Sequence, residues 1–387
     1  MSIGSQQQSQ QFTIGVFQPL PVGGAHLENL SVSAQQYSHT ISAFGGFDTA
    51  SFRLVDTLPV LQDWYEDGLG RVIQSYDDAL QPMWEGFINQ VTIRQAGLEL
   101  TRGPLVNVAN RLFAIYSSID TSTTPPTPGI RKTTGTVNHA ESQARYGIWP
   151  KILSVAGVTD PNAEQLRDTH LAEYAKPETR SSFAPSGEEI TLNVECLGFV
   201  HALSYPYNQA SNSGTTNLSS KLQAILAADP NSWISSDMSR IATNALAVGQ
   251  WENDNHLALG LVKGLTALGD ANDNRHLFGI YEERQAVYGP APTDWEYEIR
   301  LSDPRQAIFN RTGGEVPAWA VRPGKWIFFS DFLPGRIADS TDLRDDPRMM
   351  FVESLDFRLP MGLHLVGGKV DQISQKLARF GLAGLSA

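Results

Sequence analysis

The sequence predicts an α+β protein dominated by strands, with barrel-like sheet regions interrupted by small helical or mixed inserts. Two observations lead there. Apolar and β-branched residues alternate with polar ones from Phe12 to Tyr116 and again from residue 277 onward, the period of half-buried strands. Between those regions the period lengthens to that of amphipathic helices, most clearly in TDPNAEQLRDTHLAEYAKP (159–177). No repeat of fixed period is visible along the chain.

Taken in order, residues 1–11 are polar and Gln/Ser-rich and read as a loose arm. SVSAQQY, SFRLV, RVIQSY and FINQVTI carry strand-forming residues, with Gly45-Gly46, Gly68 and Gly70 as breakers. LVNVANRLFAIYSS (105–118) continues the alternation through Val106, Val108, Leu112, Ala114 and Tyr116. DTSTTPPTPGIRK (120–132) reads as a linker or exposed loop, because its three prolines and several threonines do not build a packed element. The helix at 159–177 has Thr159 or Asp160 as N-cap and Pro161 in its first turn. Its apolar side is Ala163, Leu166, Leu171, Tyr174 and Ala175, and Pro177 stops it.

EITLNVECLGFV (189–200) returns to strict alternation through Ile190, Leu192, Val194 and Cys196. A loop of Asn, Ser and Gly (208–217) precedes a helix in SSKLQAILAA, with Leu218, Leu222, Ile225 and Leu226 on one face. NHLALGLVKGLTALGD forms another helix through Leu257, Leu261, Leu265 and Leu268, ended near Gly269. LFGIYEERQAVY, WEYEIRL, KWIFFSDFL and MMFVESLDFRL then read as strands, and DQISQKLARFGLAG as a short closing helix.

At 387 residues, 41% hydrophobic and 18% charged, the chain suits two to four globular domains. A net charge of −12, with no basic run, argues against a surface that grips nucleic acid. The single cysteine, Cys196, excludes an internal disulfide and a cysteine-based zinc site, and its apolar setting suits a small buried hydrophobe. The N-terminal residues lack the basic and apolar regions of a signal peptide, and nowhere do 18 apolar residues run together. The chain is therefore expected to be made and folded in a cytoplasm.

Catalytic spacings are missing. There is no G-x-x-x-x-G-K-[ST], G-x-S-x-G or H-E-x-x-H, and the Gly324-Lys325 pair lacks the earlier glycine that would shape an anion nest. DANDNRH (270–276) places Asp270, Asn272 and Asn274 like a calcium loop, but Arg275 and Tyr281 stand where a Gly and a bidentate Glu belong. A polar turn explains it better. ADSTDLRDDPR (338–348) offers Asp342, Asp345 and Asp346 to a cation, against the plainer reading of a solvated loop tip. Asp48, Glu85, Glu282 and Glu296 lie near aromatics in strand-like text, so a paired-carboxylate glycosidase stays open, although 41 acids make such neighbours common.

HAESQARYGIWP (139–150) concentrates polar side chains. Ser142 and His139 meet as nucleophile and base only if the segment coils, and no third group orients them. Packing uses more of these residues: Ser142 caps the turn, Tyr146 and Trp149 bury their rings, Gly147 allows close approach, and Glu141 pairs with Arg145.

The same segment carries a resemblance. SQARYG, followed by an Ala/Leu-periodic helix ending in AKP, resembles the tail-hub family of long-tailed bacteriophages (minor tail proteins), related in fold to the baseplate hub of contractile phages. FGGFDTASFRL, WEGFINQV, NVECLGFVHAL, LFGIYEERQAVY, PAWAVRPGKWIFFSDFLPG and VESLDFRLPMGLHLVGGKVDQISQKLARFGL are similar to that family's segments in the same order, over about residues 40–382. The match is least clear at 206–276.

The resemblance implies two β-barrel hub domains with small helical or mixed inserts. Residues 12–118 and 186–205 would form the first barrel-like hub domain and 119–185 a loop plus helical insert. Residues 206–290 would form a mixed helix/strand domain that includes strands of the second barrel, and 291–387 the second barrel-like region with its closing helix. It further implies a structural virion protein assembled in the host cytoplasm: a homotrimeric ring at the distal end of the tail. Its partners would be the tail tube or distal tail protein, the tape measure protein and tip or fibre proteins, with DNA only passing through the lumen. No catalytic residue, metal or cofactor is expected. Phe44, Gly46, Trp84, Gly86, Tyr146, Gly147, Trp319, Gly324 and Trp326 are the candidate packing residues. The alternative is a β-rich tail-tip enzyme or carbohydrate-binding protein acting on cell-wall or surface glycans.

Overall fold

The computed structural model describes residues 2–3, 12–19, 24–30, 34–120, 127–185, 189–207, 216–249, 256–331, 346, 348–359 and 362–368. Most of the alternating text folds into one large branched sheet. Its spine is antiparallel: Pro82–Gln95 pairs with Thr191–Gly198, then come Phe44–Leu54, Ala34–Ser42, Met349–Arg358 and Gly362–Gly368. From Pro82–Gln95 the sheet continues through Val72–Tyr76 and Thr13–Phe17 to His26–Leu30, and separately through Leu98–Arg102 to Thr179–Phe183. From Met349–Arg358 another branch runs through Trp326–Phe329 and Trp295–Ile299 to Ile308–Asn310 and Glu315–Val316. The fold is strand-dominated α+β. Traced from neighbour to neighbour, the pairings never return to a starting strand, and no closed barrel is present among the described residues.

Alternation does its work in Thr191–Gly198, where Leu192, Val194 and Cys196 are buried and Glu195 is exposed, since successive side chains point to opposite faces. Pro82–Gln95 behaves differently. Met83 through Asn89 are all buried, so this strand is covered on both faces and its polar members need internal partners. Helix Leu58–Asp67 packs across it and Thr191–Gly198, burying Leu61 and Trp64, the latter edge-on to Phe52.

The 105–118 text, read as one continued strand, divides in two. Leu105–Asn107 is a short 3-10 turn, and the strand that follows, Arg111–Asp120, lies in a separate four-stranded sheet. Thr127–Thr133 and Val137–Asn138 flank it antiparallel on one side, and Pro150–Val158 runs parallel on the other. Thr127–Thr133 occupies part of the stretch read as a linker. Proline is tolerated there because the strand is at the sheet edge, and the register slips between Pro128 and Arg131.

Helix Asp160–Tyr174 starts after Thr159, with Pro161 in its first turn, and packs on this sheet through Ala163 and Arg167. Leu166 and Tyr174, read as part of the apolar side, are 43% and 42% exposed instead. Arg167 takes the inward position: its stem packs inside while Nη1 donates to Gly135 O at 2.8 Å. Helices Leu218–Ala227 and Ala258–Leu268 pack together, burying Leu218, Leu222, Ile225 and Leu226 against Leu261 and Leu265. Leu257 only precedes the second helix and is exposed.

Ser2–Ile3, within the stretch read as a loose arm, pairs antiparallel with Leu363 and His364. Residues 4–11, the loop at 208–215, most of 338–348 and the helix read in DQISQKLARFGLAG lie outside the described residues. Among the described residues no helix is long and apolar enough to cross a membrane.

Candidate functional site

Phe44–Leu54 changes partner along its length. Phe44, Gly45 and Gly46 pair parallel with Phe278, Gly279 and Ile280, and from Thr49 the strand pairs with Thr191–Gly198. The double glycine makes the switch: Gly45 and Gly46 sit at φ +109 and +78, and a Cβ on Gly46 would stand 2.7 Å from Ile280 N and closer still to its carbonyl oxygen. Aromatic rings fill the space around it. Phe44 lies 6.0 Å from Phe278, and Phe47 lies 5.6 Å from Tyr281 and 6.3 Å from Trp84. Gly86 lets the central strand approach Leu197 closely.

The later segment seats on the same junction. Gly324, at φ +86, lies against Leu277 and donates its N–H to Val352 O at 2.7 Å. Trp326 stacks edge-on to Phe351 and donates Nε1–H to Pro292 O at 3.1 Å. Arg322 lies over the Phe47 ring, donates to the carbonyl of buried Trp319 at 3.0 Å and pairs with Glu282 at 2.5 Å.

Tyr146 and Gly147 belong to a second cluster. Trp149 lies 4.9 Å from Trp233, and Phe87 lies 5.2 Å from Trp233. Gly147 sits at φ +78, where a Cβ would meet Trp233 at 3.0 Å. The hydroxyl of Tyr146 accepts from Arg102 at 2.6 Å. Two asparagines hold this cluster, and neither was singled out in the sequence. Asn110 donates to Gly147 O and Ser142 Oγ and accepts the Trp149 N–H at 2.7 Å. Asn231 accepts the Ile148 N–H at 2.6 Å and donates back to Ile148 O at 2.8 Å. For Asn110 the available signal was an amide set, with Arg111, between the apolar pairs Val108-Ala109 and Leu112-Phe113.

Local roles in HAESQARYGIWP shift by a residue or a partner. His139, rather than Ser142, caps helix Ala140–Tyr146, its Nδ1 accepting the Ser142 N–H at 3.3 Å. The buried Ser142 hydroxyl donates to Ala175 O and accepts from Asn110, so it is held as a structural group and not presented to a base. Arg145 pairs with Asp67 at 2.6 Å, whereas Glu141 faces Lys176 at 3.7 Å.

Of the four carboxylates weighed for sugar chemistry three are engaged, and the fourth, Glu296, is held only loosely. Asp48 meets His201 at 2.8 Å, Glu282 meets Arg322, and Glu296 lies 3.9 Å from Lys325. Glu85, 3% exposed, accepts Gln74 Nε2–H at 3.0 Å and the Arg284 N–H at 3.2 Å; burial raises its pKa and these donors oppose the rise. Asp270 accepts the N–H groups of Asn272 and Asn274, forming a turn. Among the described residues no group of three His, Cys, Asp or Glu side chains is placed to hold a metal. Burial also raises the pKa of the Cys196 thiol, which disfavours a thiolate there.

Beside the strand switch, His276–Ile280, Ala286–Pro290 and the turn before Trp326 enclose a cleft of about 320 Å³. Leu277 and Val287 supply apolar wall, and three cations, Arg240, Arg322 and Lys325, face it with one carboxylate, Glu282. The adjoining turn carries Glu283 and Arg284, both at φ +59, a left-handed conformation that ordinary residues seldom adopt.

No family model matches the chain, and no curated protein matches it. Among solved structures, the chain is similar to the tail protein from Neisseria meningitidis MC58, at 9% identity and a TM-score of 0.44, covering 95% of this chain and 99% of that one. It is also similar to the 43 kDa tail protein of prophage MuSo2 from Shewanella oneidensis, at 8% identity and a TM-score of 0.39, covering 95% and 98%. Likeness at this level establishes neither a shared family nor a shared role.

Proposed function

We propose that this chain is a structural part of a phage tail: a hub that closes as a homotrimeric ring at the distal end of the tail tube. One side of the ring meets the tube or distal tail protein, with the tape measure protein inside, and the other carries tip or fibre proteins. DNA passes through the lumen without being held. In this reading the hub walls are the part of the sheet around Pro82–Gln95 and Thr191–Gly198 and the part around Trp326–Phe329 and Met349–Arg358, joined by Phe44–Leu54. The residues at 119–185 form an insert.

The observation that carries the reading is the convergence of four segments. FGGFDTASFRL, NVECLGFV, LFGIYEERQAVY and PAWAVRPGKW, quoted in order for their resemblance to tail hubs, meet at the Gly45-Gly46 switch. There, glycines and rings serve backbone approach and packing. The engaged carboxylates also suit a building part better than a hydrolase, which needs an acid free to protonate its substrate.

Light scattering on the full chain, alone and with its tube partner, tests this. The expected mass is three times 42.4 kDa in at least the second sample. A strict monomer in both, together with turnover of reducing ends from purified peptidoglycan or capsule, would replace the hub with the glycan-active alternative.

A further inference from the structure

We propose that the cleft lined by Arg240, Arg322 and Lys325 binds an extended, carboxylate-bearing peptide segment of a partner protein, with apolar residues interspersed among its acids. Such a segment fits whether or not the chain closes into a ring.

The charge balance is the first observation. In a chain of net charge −12, this cleft places three cations against a single carboxylate. Their commitments differ. Arg322 is fixed by Glu282 at 2.5 Å, by the Trp319 carbonyl and by the Phe47 ring, so it belongs to the frame. Arg240 is exposed and reaches Gln285 Oε1 at only 3.5 Å, and Lys325 stands 3.9 Å from Glu296 with both side chains about two-fifths exposed or more. These two are held loosely enough to turn to an incoming carboxylate.

Backbone is the second observation. The hairpin that forms one wall turns through Glu283 and Arg284 in left-handed conformations that side-chain-bearing residues seldom adopt. The buried carboxylate of Glu85, on the central strand, accepts the Arg284 N–H and braces that turn. The result is a rigid rim that sets Glu282, and through it Arg322, at the mouth of the cleft.

A peptide suits this site better than nucleic acid. A duplex needs a track of clustered cations on an open surface, and here the cations point over an apolar wall of Leu277 and Val287 in a space of about 320 Å³. That volume seats a few side chains, with aliphatic groups on the wall and acids against the cations.

The test uses the full chain and a fluorescein-labelled peptide of four Glu-Leu repeats, followed by fluorescence anisotropy. Saturable binding is expected, weakening by about tenfold or more in the double variant Arg240→Glu, Lys325→Glu and as ionic strength rises. Arg180→Glu, on the exposed strand Thr179–Phe183, should leave it unchanged, and a Gln-Leu peptide should not bind. Because two charge reversals can disturb folding, carbodiimide coupling of the same peptide to the unaltered chain gives a second reading: Lys325 should be the lysine joined first. The proposal is overturned if the Glu-Leu peptide does not saturate, if the folded double variant binds it equally, or if coupling spreads evenly over the lysines. Displacement of the peptide by a lower concentration of a short duplex oligonucleotide would likewise overturn it, in favour of nucleic acid.

Discussion

Replacing a hydrogen of Gly46 with a methyl group sets a carbon 2.7 Å from Ile280 N on backbone at φ +78. Neither neighbour can yield, because the contact is with backbone inside a strand ladder. Gly46→Ala is therefore expected to cost more than about 2 kcal/mol, measured by urea unfolding; a loss below about 0.5 kcal/mol would remove the steric account of the strand switch. His39 gives a pH signature. It is buried, stacks on Phe357 and contacts the Tyr37 hydroxyl at 3.0 Å; burial, aided by the charge of Arg322, lowers its pKa from 6.5 to about 3. The unfolded chain takes up this proton near pH 6.5 and the folded chain only near 3. The stability contributed by neutral His39 is thus present above 6.5 and lost progressively as pH falls towards 3. His39→Phe should flatten the fall in unfolding free energy between pH 7 and pH 4.5, and an unchanged slope would mean that other groups govern it.

Among the α-helices of the described residues, Asp160–Tyr174 is the least anchored for its length, with only Ala163 and Arg167 buried over fifteen residues. Hydrogen exchange read by mass spectrometry is expected to show this helix opening well before Phe44–Leu54 and Pro82–Gln95, whose residues are largely enclosed. Equal protection would show that this helix and the large sheet open as one unit. The elements also show how far sequence reading reaches. Thr191–Gly198 and the apolar faces of Leu218–Ala227 and Ala258–Leu268 were legible because their periods reflect burial directly. The partner of Arg111–Asp120 was not, since its alternation says that one face is covered but not which sheet it joins. Thr127–Thr133 was hidden by prolines that only an edge position tolerates. Arg145 was assigned to Glu141 by local spacing, whereas its partner Asp67 lies 78 residues away. The strand switch and the cationic cleft were illegible for the same reason: Gly46 meets Ile280, and Arg240 and Lys325 come to line one cleft, only after the chain has folded.

For the whole molecule, the pairings give a sheet whose two parts share Phe44–Leu54, and the proposed ring adds a demand that a single copy cannot meet. A closed ring of identical chains needs two unlike faces that fit each other, repeated around an axis. A lumen walled by an acidic protein would repel DNA phosphates and let a genome pass without sticking. Mapping potential on the assembled ring would expose the weakness of that idea directly, since a lumen lined by Lys and Arg contradicts it. The decisive measurement comes before any such map: single-particle imaging of the full chain with the proposed tube partner. Three copies around an open axial channel are the predicted result, and a solitary globule without an axial hole would contradict the account.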